Sequence, residues 1–137
     1  MKGYKVNIES ETWENKNYRK VMYTGKYLQL VIMNLKVGED IGEETHENND
    51  QFFRIESGFG KCIIEGHEHD IKEGDAIIIP AGSRHNIINT DVVAELKMYT
   101  IYGPPNHQKG VIELTKKEAT ENKEKFDGIT SENNDAS

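Results

Sequence analysis

Two stretches of the chain carry side chains able to hold a metal ion. The first, GEDIGEETHENNDQFFRIESG, covers residues 38–58, and the second, GDAIIIPAGSRHNIIN, covers residues 74–89. Between them, Glu44, His46, Gln51 and His85 offer one carboxylate, two imidazoles and one amide. That donor set suits one divalent ion per chain. Mn²⁺, Fe²⁺, Ni²⁺, Co²⁺ and Zn²⁺ all accept such ligands, and the general affinity order does not choose among them. The amide oxygen is a weak, hard donor, so Gln51 either binds loosely or meets a metal-bound water or the substrate. An ion held this way polarises a carbonyl as a Lewis acid, and Glu44, if weakly held, can move a proton.

Strand geometry is what would bring these residues together. Side chains alternate faces with a period of two, so Glu44 and His46 share one face. Gln51, Phe53 and Ile55 share a face on the next strand, and His85, Ile87 and Asn89 on a later one. The expected site is therefore a polar cluster beside an apolar wall of Phe53, Ile55 and Ile87, the general form of a small-molecule pocket. Arg84 precedes His85 at the rim and is placed to meet an anionic group. Tyr99 and Tyr102 fall on opposite faces of the last strand, so at most one, taken here as Tyr102, faces the pocket. His107 follows Tyr102-Gly-Pro-Pro-Asn and is a second candidate acid or base if that segment folds back. His67 and His69 imitate a metal motif but read as exposed residues of a turn over GHEHD (66–70).

The surrounding pattern is that of short strands. YLQLVIMNLKV (27–37) is apolar, branched and about one strand long. QFFRIE (51–56) and KCIIEG (61–66) read as a hairpin joined by Ser57-Gly58-Phe59-Gly60. AIIIP (76–80), HNIINT (85–90) and VVAELKMYTIY (92–102) complete a series with turn signals every 8–12 residues, which predicts an antiparallel sandwich or barrel. Residues 1–24 form an arm that packs on the barrel or on a partner subunit, and Trp13 lies in it. Residues 25–103 make the barrel, 104–115 lie over its mouth or rim, and 116–137 form a polar tail. In that tail Thr115 and Glu118 can cap one short helix, and the last ten or so residues have little to bury and are expected to be partly disordered.

Composition narrows the class of partner. At 137 residues the chain fits one domain with one core. The net charge of −7 argues against nucleic acid and anionic membranes, both of which need a basic surface. No apolar run approaches the roughly 18 residues of a membrane span, and the N-terminal stretch has no apolar signal core. Cys62 is the single cysteine, so no internal disulfide forms, in keeping with a reducing, cytoplasmic setting. The expected partner is a small-molecule substrate.

The two stretches resemble the paired motifs of the cupins. The second matches at each signature position: Gly74, five residues, Pro80, one residue, Gly82, two residues, His85, three residues, Asn89. The first matches in spacing: Gly38, five residues, position 44, one residue, position 46, four residues, position 51, six residues, Gly58. Cupins usually carry His where this chain has Glu44 and Glu where it has Gln51, so the carboxylate has changed places and the ligand charge is conserved. The resemblance, over roughly residues 25–103, implies an all-β, double-stranded β-helix or jelly-roll barrel, a metal in its mouth and a homodimer. The wider run from Tyr23-Thr-Gly to YTIYGPP is similar to small bacterial cupins of the mannose-6-phosphate isomerase-like kind. The family spans many reactions. The reading favoured for this chain is a metal-dependent isomerase or lyase on a small sugar-like or carbonyl compound. An Fe-dependent dioxygenase and a non-catalytic sugar- or ligand-binding module are the alternatives.

Overall fold

A computed structural model describes residues 1–133. The elements run α1 (Ile8–Glu14), β1 (Arg19–Thr24), β2 (Gln29–Leu35), β3 (Glu44–Thr45), β4 (Asp50–Ser57) and β5 (Phe59–Ile64). They continue with β6 (His67–Lys72), β7 (Ala76–Ile79), β8 (Arg84–Asn89), β9 (Leu96–Gly103), β10 (Ile112–Glu113) and α2 (Lys116–Glu121). Two antiparallel sheets face each other. One has the order β10-β1-β2-β9-β4-β7 and the other β3-β8-β5-β6. Alternation decides which side chains fill the space between them. On β9 the odd–even burial is complete, with Leu96, Met98, Thr100 and Tyr102 buried between less buried neighbours. Val31, Met33, Leu35, Phe53, Ile55, Cys62, Ile87 and Met98 form the core. Burying each such side chain contributes about 1.5–3 kcal/mol.

The connection between β4 and β5 is not a hairpin. The two strands belong to different sheets and do not pair. Gly58 is the single residue between them and takes φ +91°, a conformation open to glycine at no steric cost. Its backbone runs against Glu95, whose carbonyl oxygen would lie 2.5 Å from an added Cβ. Gly60 crosses β8 more closely still, with the Ile88 carbonyl oxygen 2.1 Å from where a Cβ would sit. The glycines therefore turn the chain from one sheet to the other. The tight hairpin lies one strand later, where Glu65 (φ +49°) and Gly66 (φ +80°) join β5 to β6, with Ile64 across from His67. A two-residue loop with both residues at positive φ matches the twist of the strands it joins. His67 and His69 are consequently strand residues of β6 rather than turn residues, and both are exposed.

Chain outside the barrel core adds to both flanks. β1 and β10 extend the larger sheet, Arg19 pairing across from Glu113. In the N-terminal arm, Asn7 caps α1 by accepting from the Ser10 amide. The Lys97 ammonium lies 5.5 Å over the Trp13 ring and donates to the Trp13 carbonyl. Thr115 caps α2 through the Glu118 amide, while the Glu118 carboxylate accepts from Leu114 N–H. Lys116 pairs with Asp40, fastening α2 to the loop before β3. That hydrogen bond, joined by one from Asn86, holds the Asp40 carboxyl below its usual range against the opposing effect of burial. Beyond α2 the chain turns back on the body. The Phe126 amide donates to the Asn106 carbonyl, Ser131 N–H to the Thr24 carbonyl, and Tyr23 Oη to Glu132. The tail expected to be partly disordered is thus hydrogen-bonded as far as residues 130–133, and residues 134–137 lie outside the described residues. No helix among the described residues is long and apolar enough to cross a membrane.

Candidate metal centre

Glu44 opens β3 and lies directly across from His85 on β8. His46 follows two residues later and returns to the same side. Glu44 Oε2 stands 3.1 Å from His46 Nε2 and 4.0 Å from His85 Nε2. The two imidazole centroids are 5.4 Å apart, and one donor atom from each of the three residues lies within 4.8 Å of the others. Two donors each bound to one ion at about 2.1 Å can be no more than about 4.2 Å apart, so the two measured distances suit a shared cation.

Hydrogen bonding around the cluster leaves one imidazole nitrogen free. His85 Nδ1 is 3.0 Å from the Ser83 carbonyl oxygen. A carbonyl accepts only, so Nδ1 carries the proton and Nε2 is left as an acceptor, the tautomer of a metal ligand. Nε2 is buried and has no partner. Burial holds the His85 imidazole below its usual pKa, and His46 pushes the same way, against the Ser83 carbonyl and Glu44. Gln51 presents the same picture. Its Nε2 donates to Thr100 Oγ1 at 3.0 Å, which leaves Oε1 buried and unpartnered. Its cross-strand neighbour on β9 is Tyr102, whose ring meets His46 edge-on at 5.6 Å. Burial acts to raise the Glu44 carboxyl, but the hydrogen bond and charge of His46, with Arg19 and His85, hold it below its ordinary range. Buried acceptors without donors are costly, at about 1–3 kcal/mol each, and a cation satisfies both. Glu44, His46 and His85 fit a divalent ion by the spacing of their donor atoms, and Gln51 would add a free amide oxygen if it reaches the same point.

A cavity of about 290 Å³ opens beside Glu44. Tyr18, Arg19, Ile41 and His107 line it together with residues of α2 and the segment after it, among them Lys123, Glu124 and Lys125. His107 is buried and fully engaged. Its Nδ1 lies 3.0 Å from Glu124 Oε2 and its Nε2 3.2 Å from Tyr102 Oη. With the carboxylate accepting from Nδ1–H, Nε2 accepts from the Tyr102 hydroxyl. Burial acts to raise the Glu124 carboxyl, but the hydrogen bond and charge of His107 hold it below its usual range, helped by the Gln108 amide. Burial drives the Tyr102 hydroxyl well above its usual pKa, so it stays protonated as a donor.

Glu44, His46 and His85 are brought together as the motif spacing predicts, and Gln51 lies across from Tyr102, whose ring touches His46. His107 and Glu44 face one cavity. The apolar wall is different. Phe53, Ile55 and Ile87 are fully buried in the core and none of them lines the cavity. Phe53 and Ile87 each sit two residues beyond a candidate ligand on the same strand, so their layer closes the barrel behind the site. Arg84 points outward, as the residue beside an inward His85 must, and faces Glu43 at 3.5 Å on the surface. Arg19, Glu124 and Thr100 are the functional neighbours that the sequence did not single out. Arg19 lies in the arm before the motifs, and Glu124 in a polar tail with no pattern of its own. Asn89, the last motif residue, is structural, and its amide donates to the Leu35, Lys36 and Ala94 carbonyls.

Comparison with known proteins agrees with this geometry. A family model described as a cupin domain matches residues 31–102. The uncharacterized protein YrkC of Bacillus subtilis (strain 168) is 43% identical over 125 residues, which are 86% of this chain and 66% of that protein. The uncharacterized protein L612 of Acanthamoeba polyphaga mimivirus is 44% identical over 114 residues, 81% of this chain and 71% of that protein. The chain thus spans about two thirds of the length of these relatives. The crystal structure of BH2720 from Bacillus halodurans shares 39% identity with a TM-score of 0.86, covering 88% of this chain and 96% of that one.

Proposed function

The chain belongs to the cupin family, and from that premise we propose that it is a metal-dependent isomerase or lyase acting on a small carbonyl or hydroxylated compound. The observation that carries the reading is that Glu44, one of three clustered metal-type donors, lines the same cavity as His107, a buried histidine whose Nδ1 is held by Glu124. A divalent ion held by Glu44, His46, His85 and Gln51 supplies Lewis acidity at a substrate oxygen. The chain does the rest. Glu124 fixes the orientation and tautomer of His107 and stabilises the charge that imidazole gains on taking a proton. The Tyr102 hydroxyl, hydrogen-bonded to His107 Nε2, provides the path for the proton between the imidazole and the interior of the site.

The proton-transfer pair favours isomerase or lyase chemistry over oxygen activation, which needs open metal positions rather than a held base. Arg84, the anion-binding candidate of the sequence, lies outside the cavity and so gives a mannose-6-phosphate-type substrate no support. We also propose a homodimer, on the strength of the family alone. The discriminating experiment incubates the metal-loaded protein with small aldoses, ketoses and 2-oxo acids in D₂O, and follows deuterium entry at carbon by NMR with O₂ uptake in parallel. Exchange that His107→Gln reduces at least about 100-fold is expected, the usual share of a general acid or base. Oxygen consumption without exchange would transfer the assignment to a dioxygenase.

A further inference from the structure

Three buried polar atoms around this one site lack partners, and they are not of one kind. Gln51 Oε1 and His85 Nε2 are acceptors without donors, which a cation satisfies. Arg19 Nε–H is a donor without an acceptor, which an anion satisfies. The Arg19 side chain is 9% exposed and lines the cavity that Glu44 and His107 share. Its Nη1 is already taken by Glu113 at 2.7 Å. Glu113 is in turn fixed by the Asn122 amide at 3.1 Å, so the guanidinium is clamped with its Nε unused. Such a donor is expensive to bury for stability alone, and its position on the cavity that Glu44 lines points to a ligand.

Lys123 and Lys125 line the same cavity from the segment after α2, against Glu44 and Glu124. Arg19, Lys123 and Lys125 against Glu44 and Glu124 leave one net positive charge among the lining residues, which the Glu113 carboxylate paired with Arg19 offsets until a divalent ion is bound. The Nε–H edge of a guanidinium matches the two oxygens of a carboxylate, and a wall this close to neutral suits a monoanion better than a phosphate dianion. We propose that the cavity selects substrates bearing a carboxylate, and that Arg19 Nε–H is the donor that holds it, with Lys123 and Lys125 drawing the anion in. This names the substrate class for the metal-centre reading above and rests on it for the placement of the reacting carbons, while the anion site itself stands on Arg19.

The test uses the full chain labelled with ¹⁵N-arginine, both Zn²⁺-loaded and treated with EDTA, titrated with acetate, with acetamide as the neutral isostere, and with inorganic phosphate. The Arg19 Nε–H resonance is assigned by its loss in Arg19→Lys. A saturable shift with acetate and none with acetamide is expected. The paired variant Arg19→Met with Glu113→Gln, which leaves no buried carboxylate unpaired, is expected to bind acetate about tenfold more weakly or worse. Raising the salt should weaken acetate binding less in Lys123→Ala/Lys125→Ala than in wild type. No saturable shift, an equal response to acetamide, undiminished acetate binding in the paired variant, or phosphate binding more tightly than acetate each overturns the proposal. The wild-type resonance decides the matter even where the paired variant does not fold. Acetate at Arg19 with no metal bound sustains this inference and sinks the metal reading, and bound metal without an acetate response does the reverse.

Discussion

Gln51→Met separates the contribution of this side chain to stability from its contribution to metal binding. In the metal-free protein Gln51 Oε1 is buried without a donor, at a cost of about 1–3 kcal/mol. Methionine has nearly the same length and removes that acceptor. It also removes the bond from Gln51 Nε2 to Thr100 Oγ1, a loss of about 0.5–1.5 kcal/mol. The two effects leave the variant between about neutral and about 2 kcal/mol more stable than wild type when metal is absent. For a chain of this length that is a rise in Tm of roughly 3 °C per kcal/mol. With metal present the sign reverses. Wild type gains about 2.7 kcal/mol at a metal concentration 100-fold above Kd. A site weakened about tenfold by loss of the amide oxygen gains about 1.4 kcal/mol less. Thermal and urea unfolding in EDTA and in excess Mn²⁺ or Zn²⁺ measure both. A variant at least about 2 kcal/mol less stable than wild type in EDTA, or stabilised by metal as much as wild type, would refute the reasoning, because Oε1 would then be neither an orphan nor a ligand.

Other perturbations test the frame of the site. Gly60→Ala places a methyl group against the Ile88 carbonyl oxygen, which backbone atoms cannot easily yield, so urea unfolding should show about 3 kcal/mol of destabilisation or more; a change under about 1 kcal/mol would mean that β5 and β8 can separate. The Glu124–His107 pair gives a pH dependence. A carboxyl held below its usual value contributes stability that is fully present above about pH 4.3 and is lost as the pH falls through its lower folded pKa. Wild type should therefore lose more stability between about pH 4.5 and 3 than Glu124→Gln does. Parallel unfolding curves for the two proteins would remove the pair from the account. His67→Ala and His69→Ala should leave bound metal unchanged by elemental analysis, since both are exposed on β6, and a fall in metal content would move the centre to that strand.

Much of this arrangement is legible in the residues. Alternation on β8 and β4 placed His85 and Gln51 on inward faces, and the spacing of Glu44 and His46 brought them to the same side, because period-two geometry is local. The Thr115 cap is likewise local, and α2 begins there. What sequence could not reveal depends on tertiary position. Ser57-Gly58-Phe59-Gly60 has the composition of a hairpin turn, and only the approach of Gly60 to Ile88 distinguishes a passage between sheets. Phe53, Ile55 and Ile87 face inward as expected, but inward at their level means core, one layer behind the cavity. Arg84 is next in sequence to His85, and so must point away from it. Arg19 and Glu124 come from the ends of the chain, where no motif marks them, and they enter the site only because β1 joins the larger sheet and the tail folds back.

The central claim is one divalent ion shared by Glu44, His46 and His85. The most direct measurement is an anomalous-difference map from crystals of the metal-loaded protein, collected on both sides of the metal's absorption edge. The account predicts one peak per chain, within about 2.0–2.3 Å of Glu44 Oε2 and His85 Nε2 and of a His46 ring nitrogen. It also predicts that the peak is lost in His85→Ala crystals of the same fold. A map with no peak among these residues, or with its peak at His67 and His69, would contradict it.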